Sequence, residues 1–269
     1  MDAQVNRDNR ASAAGGSGLA ARSVGIAAGA RQLVTELSVD FHAGEFTAIL
    51  GRNGSGKTLT LHTLAGLRRP QQGVVRMDGT SLDQMKRRAV ARRLGLLMQD
   101  LEESFTTTAL EAVLIGRHPH LAMWQWESAE DERIARDALA QVNMLELASR
   151  TTDNLSGGER RRVAIASLLA QAPQVFLLDE PTNHLDPHHQ LAVLQLFRQQ
   201  ANEGRTVIAT LHDPTLAARF ADRVILLFGD GRWTSGPTRE ALTAEALSQL
   251  YLTPMVEMSA DHRRAFVNA

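Results

Sequence analysis

The chain has 269 residues, carries 29 Lys and Arg against 30 Asp and Glu for a formal net charge of -1, and contains no cysteine. That length supplies a full α/β core with room for an appended part. The near-neutral charge offers no overall basic field for a nucleic-acid backbone, and the lack of cysteine excludes disulfides, iron–sulfur clusters and thiolate zinc sites.

Residues 1–20 mix small and charged side chains without a continuous apolar segment, which predicts a disordered lead-in and not a secretory signal. The apolar runs further along are strand-sized or amphipathic, short of the roughly 18–20 residues that span a bilayer, so a membrane role must run through a partner. VGIAAGARQLVTELSVDF (24–41) and GVVRMDG (73–79) alternate and read as antiparallel edge strands.

EFTAIL (45–50) is an apolar run of strand length, followed at once by GRNGSGKT (51–58) and the helix-like LTLHTLAGL. Strand, glycine loop and helix fit G-x-x-x-x-G-K-[ST], with Gly51, Gly56, Lys57 and Thr58 in the required places. Physically, the loop formed by Gly51, Arg52, Asn53, Gly54, Ser55 and Gly56 turns its backbone N–H groups around phosphate oxygens. The helix N-terminus adds partial positive charge, Lys57 a mobile full one, and the Thr58 hydroxyl can ligate magnesium.

LGLLMQD (94–100) reads as a strand ending at Gln99. From there to Ser156 helical periodicity dominates, as in SAEDERIARDALAQVNML with Ile134, Ala138 and Val142 on one face, which predicts a helical subdomain of about residues 100–165. Two histidines, His118 and His120, share one loop there; packing or a partner contact explains them better than metal binding.

NLSGGERRR (154–162) opens the next helix, with two glycines in its first turn although each costs up to about 1 kcal/mol relative to alanine. Ser156 and Glu159 make an S-x-x-E capping box, which accounts for those two residues and leaves Gly157 and Gly158 unexplained. Bare N–H groups at an exposed helix start form a second anion site, held away from the first. Two chains placed head to tail would bring both to one nucleotide. Arg160 to Arg162 read as a mostly solvated or acid-paired face.

VFLLD (175–179) is a continuous apolar run suited to a parallel sheet covered on both faces, and it ends in Asp179 and Glu180. Alone, such a pair is a solvated loop or a cap. Beside a phosphate loop, a magnesium nucleotide needs a carboxylate near its metal and a hydrolase needs a group to orient water, which assigns Asp179 and Glu180 in that order. TVIATLHD (206–213) ends at His212. Four predicted strands thus finish at Gly51, Gln99, Asp179 and His212, and open α/β sheets bind ligands at those ends.

In combination these motifs resemble the nucleotide-binding subunit of an ATP-binding cassette (ABC) transporter, over residues 23–251. GRNGSGKT is similar to the Walker A loop, Gln99 to the Q-loop glutamine, LSGGE (155–159) to the signature, VFLLDEP to Walker B, NHLD (183–186) to the D-loop and His212 to the switch histidine. The resemblance implies a P-loop NTPase core with a mostly parallel sheet, an antiparallel β edge subdomain and an inserted α-helical subdomain. It places the ATPase domain at 21–255 and a C-terminal tail at 256–269.

It further implies ATP and Mg2+ as cofactors and a head-to-tail homodimer. Each ATP would lie between one chain's Walker A loop and the other's Ser156, Gly157, Gly158 and Glu159, with Asp186 close by. Glu180 would orient the attacking water and His212 contact the γ-phosphate. Thr58, Gln99 and Asp179 would surround the metal, and Gln99 would link it to an integral-membrane permease.

EAVLIGRHPHL (111–121) and LHDPTLAARFADRVILL are similar to importers of iron-siderophore, haem or cobalamin complexes. The expected place is peripheral, on the cytoplasmic face of the inner membrane, with a substrate-binding protein as an indirect partner and no nucleic acid. A soluble ABC-type ATPase acting on nucleic acid or ribosomes, an ABC ATPase for another substrate class, and a P-loop kinase are the competing readings. One departure from the family is the stretch VGIAAGARQLV, which offers only Ala27 or Ala28 where an aromatic residue commonly stacks on adenine.

Overall fold

The computed structural model describes residues 18–99, 107–122, 124–260 and 263–269. In chain order the strands are β1 (Leu19–Ala28), β2 (Arg31–Phe41), β3 (Phe46–Gly51), β4 (Gln72–Met77), β5 (Thr80–Ser81), β6 (Leu94–Leu97), β7 (Val175–Leu178), β8 (Thr206–Thr210), β9 (Arg223–Leu227), β10 (Trp233–Pro237), β11 (Met255–Ala260) and β12 (Arg263–Asn268). The helices are α1 (Lys57–Leu64), α2 (Arg87–Ala91), α3 (Ala109–Leu114), α4 (Ala129–Gln141), α5 (Gly157–Gln171), α6 (Pro187–Asn202), α7 (Pro214–Phe220), α8 (Thr238–Ala241) and α9 (Ala244–Tyr251).

The central sheet has the order β10-β9-β3-β8-β7-β6. Every pairing from β9 to β6 is parallel, and β10 alone runs antiparallel. β3, β7 and β8 are buried along their whole length, as continuous apolar strands covered on both faces must be. Strand alternation divides their side chains between two cores. Phe46, Ala48, Leu50, Phe176 and Leu178 pack on the face covered by α3 to α7. Ile49, Val175, Leu177 and Ile208 pack on the other, with α1 and the second sheet. That second sheet is antiparallel, in the order β2-β1-β4-β5, from the two stretches whose alternation predicts edge strands.

α3, α4 and α5 form the helical part. Thr108, Ser128 and Ser156 cap them, each with a reciprocal capping box. Ala138 and Val142 are buried as the periodicity predicts. The helix begun at Gly157 runs on through the apolar stretch that follows it to Gln171, and Leu168 and Ala170 share the core under the sheet.

The ends of the chain depart from expectation in detail. β1 starts at Leu19, inside the span expected as lead-in, and residues 1–17 lie outside the described residues. The expected tail is an antiparallel hairpin of β11 and β12, with Val256 opposite Val267. Phe266 is buried and its N–H donates to Thr215 Oγ1 at 3.0 Å, which docks the hairpin on α7. Val256, Met258 and Val267 remain exposed. Among the described residues no helix is long and apolar enough to cross a membrane.

Candidate active site

The phosphate loop leaves β3 at Gly51 and enters α1 at Lys57. Gly56, the residue before α1, has φ 101°, a left-handed conformation that favours glycine. Gly51 is fixed by crowding: a Cβ there would stand 2.3 Å from Ser55 Oγ and 2.7 Å from the Leu227 carbonyl. Lys57 is only 5% exposed. Its ammonium donates to the carbonyls of Gly51 at 2.9 Å and Arg52 at 3.4 Å. Burial holds its pKa below the ordinary lysine value, against the carboxylates of Glu180 and Asp179, which pull it back up.

Asp179 and Glu180 follow β7, both buried. The Thr210 hydroxyl, at the end of the neighbouring β8, donates to Asp179 Oδ1 at 2.7 Å and accepts the Glu180 N–H at 2.8 Å. Asp179 Oδ2 is buried without a hydrogen-bond partner among the described residues. Glu180 has φ 47°, a non-glycine residue in a sparsely populated region at a cost of about 1–3 kcal/mol, which such a pairing can hold in place. Its carboxylate meets His212 Nε2 through Oε1 and accepts from Asn183 Nδ2 through Oε2.

Lys57, Glu180, Asn183 and His212 border one cavity of about 540 Å³. Its lining includes Asn53, Gly54, Gly56, Lys57 and Thr58 from the loop and helix start, then Gln99, Glu180, Asn183 and His212, with Ala28, Leu33 and Leu59. The ends of β3, β6, β7 and β8 therefore converge as the strand-end argument requires. Gly51, Arg52, Ser55 and Asp179 are not among the lining residues. Of the two alanines at the adenine position, Ala28 faces the cavity and Ala27 is buried.

Ser156, Gly157, Gly158, Glu159 and Asp186 do not reach this cavity. Ser156 Oγ accepts from the Glu159 N–H at 3.3 Å, and the Glu159 carboxylate accepts from the Ser156 N–H at 2.7 Å. The Ser156 N–H first, and the Ser156 hydroxyl second, hold the Glu159 carboxyl below its usual range. A Cβ at Gly157 would meet nothing within 4 Å, and one at Gly158 only ordinary contacts at 3.4 Å and beyond. Packing within the chain thus gives no reason for either glycine. Asp186 caps α6, accepting the His189 N–H at 2.9 Å, which lowers its pKa.

The Arg160–Arg162 run needs correction at its middle. Arg161 is 2% exposed, with its guanidinium bonded to main-chain carbonyls beside the cavity. Sequence reading also missed Thr210, signalled only as a threonine ending an apolar strand, and took Asn183 as part of the NHLD stretch without its bond to Glu180. In the helical part, His120 Nε2 lies 2.9 Å from the Gln171 carbonyl and His118 faces Glu127. Trp124 and Trp126, in the loop before α4, are 92% and 86% exposed.

The donors suit a nucleotide with magnesium. Among the described residues no three His, Asp or Glu side chains gather into a metal cage, whereas Mg2+ on a nucleotide takes one or two protein oxygens and completes its shell with phosphate and water. The Thr58 hydroxyl and the unpartnered Asp179 Oδ2 are of that type.

The family model described as ABC transporter matches residues 34–183. The iron(3+)-hydroxamate import ATP-binding protein FhuC of Bacillus subtilis is 36% identical over 87% of each chain. The ferric enterobactin transport ATP-binding protein FepC of Escherichia coli is 39% identical over 80% of each. Among solved structures, a metal-chelate type ABC transporter in an inward-facing conformation superposes with a TM-score of 0.82 at 30% identity, over 94% of this chain and 98% of that one. A dimeric post-hydrolysis state of the cassette MJ0796 bound to ADP and Pi gives 0.71 at 28% identity, over 82% and 99%.

Proposed function

The chain belongs to the ABC transporter family, as an ATP-binding and ATP-hydrolysing subunit, and from that premise we propose that it energises uptake of an iron-siderophore, haem or cobalamin-type complex through a separate membrane permease. The observation that carries the ATPase chemistry is the convergence of Lys57, Glu180 and His212 on one cavity. The names of the relatives, importers of ferric hydroxamate and enterobactin, support the cargo class.

In this reading the N–H groups of residues 51–58 cradle the β- and γ-phosphates, and Lys57 exchanges the carbonyls of Gly51 and Arg52 for phosphate oxygens. Mg2+, held by Thr58 and Asp179 with Gln99 beside it, would neutralise charge on the phosphates. Glu180, already fixed by Asn183 and His212, orients the attacking water, and His212 turns to the γ-phosphate. Ala28 and Leu33 give the base an apolar edge without a stacking ring, so selectivity among purine triphosphates is looser than an aromatic platform would give.

The exposed Ser156 and Gly157 complete the site of a second copy, which makes a head-to-tail homodimer the working unit. The unit sits peripherally on the cytoplasmic face of the inner membrane, docked on its permease, and a substrate-binding protein delivers the cargo.

The test is Glu180→Gln. ATP titration stays within about twofold of wild type while phosphate release falls at least about 100-fold, and closed dimers accumulate on scattering. Normal turnover would overturn the assignment. For the cargo, vesicles holding the co-purified permease accumulate labelled ferric siderophore, haem or cobalamin on ATP addition; failure with all three rejects that class.

A further inference from the structure

We propose that Arg161 is a positioning residue that ties the Ser156 helix end to the segments carrying Gln99 and Glu180, so that a displacement of the Gln99 segment changes the rate of hydrolysis without changing ATP affinity. The inference rests on the roles proposed for Gln99 and Glu180.

Arg161 lies on α5, in the turn after the Ser156 cap, and its side chain enters the core. Nη1 donates to the carbonyls of Met98 at 2.5 Å and Gln99 at 3.3 Å. Nη2 donates to those of Asp179 at 2.6 Å and Glu180 at 2.8 Å. One planar group therefore bridges the residues that follow β6 and those that follow β7, from a third element. A guanidinium can do this because its donors diverge in a fixed plane; an ammonium is a single point that serves one pair of carbonyls at a time.

Two features make the bridge more than packing. Glu180 holds a left-handed backbone conformation, and its carbonyl is among the acceptors of Arg161 in the described residues, so that bond helps to keep its carboxylate aimed into the cavity. Gln99 is exposed and lines the same cavity. Drawing residues 98–99 outward must therefore break two bonds to Arg161, drag Glu180, or tilt α5 with Ser156 at its tip. Each outcome alters the geometry of hydrolysis, while Lys57 and the phosphate loop, which set affinity, are untouched.

The experiment compares Arg161→Lys and Arg161→Met in the full chain, alone and with the permease that co-purifies with it. Arg161→Met is expected to lower kcat about 10- to 100-fold, as a misplacement near 1 Å does, with KM for ATP within about twofold and with stimulation by the permease abolished. Arg161→Lys should recover part of kcat. Wild-type kcat and stimulation in both variants would overturn the proposal, as would KM rising in step with the fall in kcat. Should Arg161→Met not fold, Arg161→Lys decides alone: reduced kcat at unchanged KM upholds the bridge, and wild-type kinetics reject it. A Glu180→Gln variant that still turns over would instead remove the underlying assignment, whatever Arg161 does.

Discussion

Lys57 is held as a buried cation over two backbone carbonyls with two carboxylates nearby, an arrangement that an incoming phosphate must rearrange. Lys57→Ala removes a charge-assisted contact of about 1.5–3 kcal/mol, so ATP affinity should fall roughly 10- to 100-fold, read by equilibrium titration. An unchanged titration would reject the phosphate cradle. Lys57, Asp179, Glu180 and His212 were legible in the sequence because each stands at a fixed spacing from a strand end. Thr210 and Arg161 were not, because their roles depend on which strands lie side by side: Thr210 meets Asp179 only through the pairing of β7 with β8. Arg161 stands between two charged neighbours that share its chemistry but not its burial, and no local pattern separates the three.

Among elements, α4 offers a measurable anchor. Asp131, the third residue of α4, closes its capping box with Ser128 and also pairs with Arg117 at 2.9 Å. The Ser128 hydroxyl, the Ser128 N–H and Arg117, in that order, lower its pKa to about 2 from 3.8. A depressed carboxyl pKa contributes stability that is complete above the unfolded value and fades as pH falls through the folded one. Wild type should therefore exceed Asp131→Asn by about 2 kcal/mol at pH 7 in urea unfolding. The difference should narrow below about pH 5 and vanish only near about pH 1, below the folded value; a pH-independent gap would contradict the assignment. The Ser156–Glu159 box was readable from four letters, and the central strands from their apolar runs. The hairpin of β11 and β12 was not, since its outward residues Val256, Met258 and Val267 are apolar and the inward signal reduces to Phe266 and the half-buried Met255.

For the whole molecule, the separation of the Ser156 end from the cavity predicts complementation. Lys57→Ala spoils one component of each shared site and Ser156→Arg the other, so each variant alone should release little phosphate. An equal mixture forms mixed dimers with one intact site apiece, and should recover about a quarter of wild-type activity when subunits exchange freely. No recovery would mean that each chain completes its own site. The layered fold was legible from the apolar strand runs and helical periodicity, whereas how two copies would meet leaves no signature in one chain's sequence beyond two sites that stay apart, and the mixture tests it.

Trp124 and Trp126 are two of the three tryptophans in the chain, and the third, Trp233, donates its indole N–H to the Thr35 carbonyl. Most of the intrinsic ultraviolet emission of the isolated subunit should accordingly be red-shifted and open to collisional quenching by iodide. Any protein that settles over that loop will announce itself as a blue shift and a loss of quenching, giving a label-free optical gauge of assembly; an emission spectrum indifferent to Trp124→Phe and Trp126→Phe would show that the gauge does not exist.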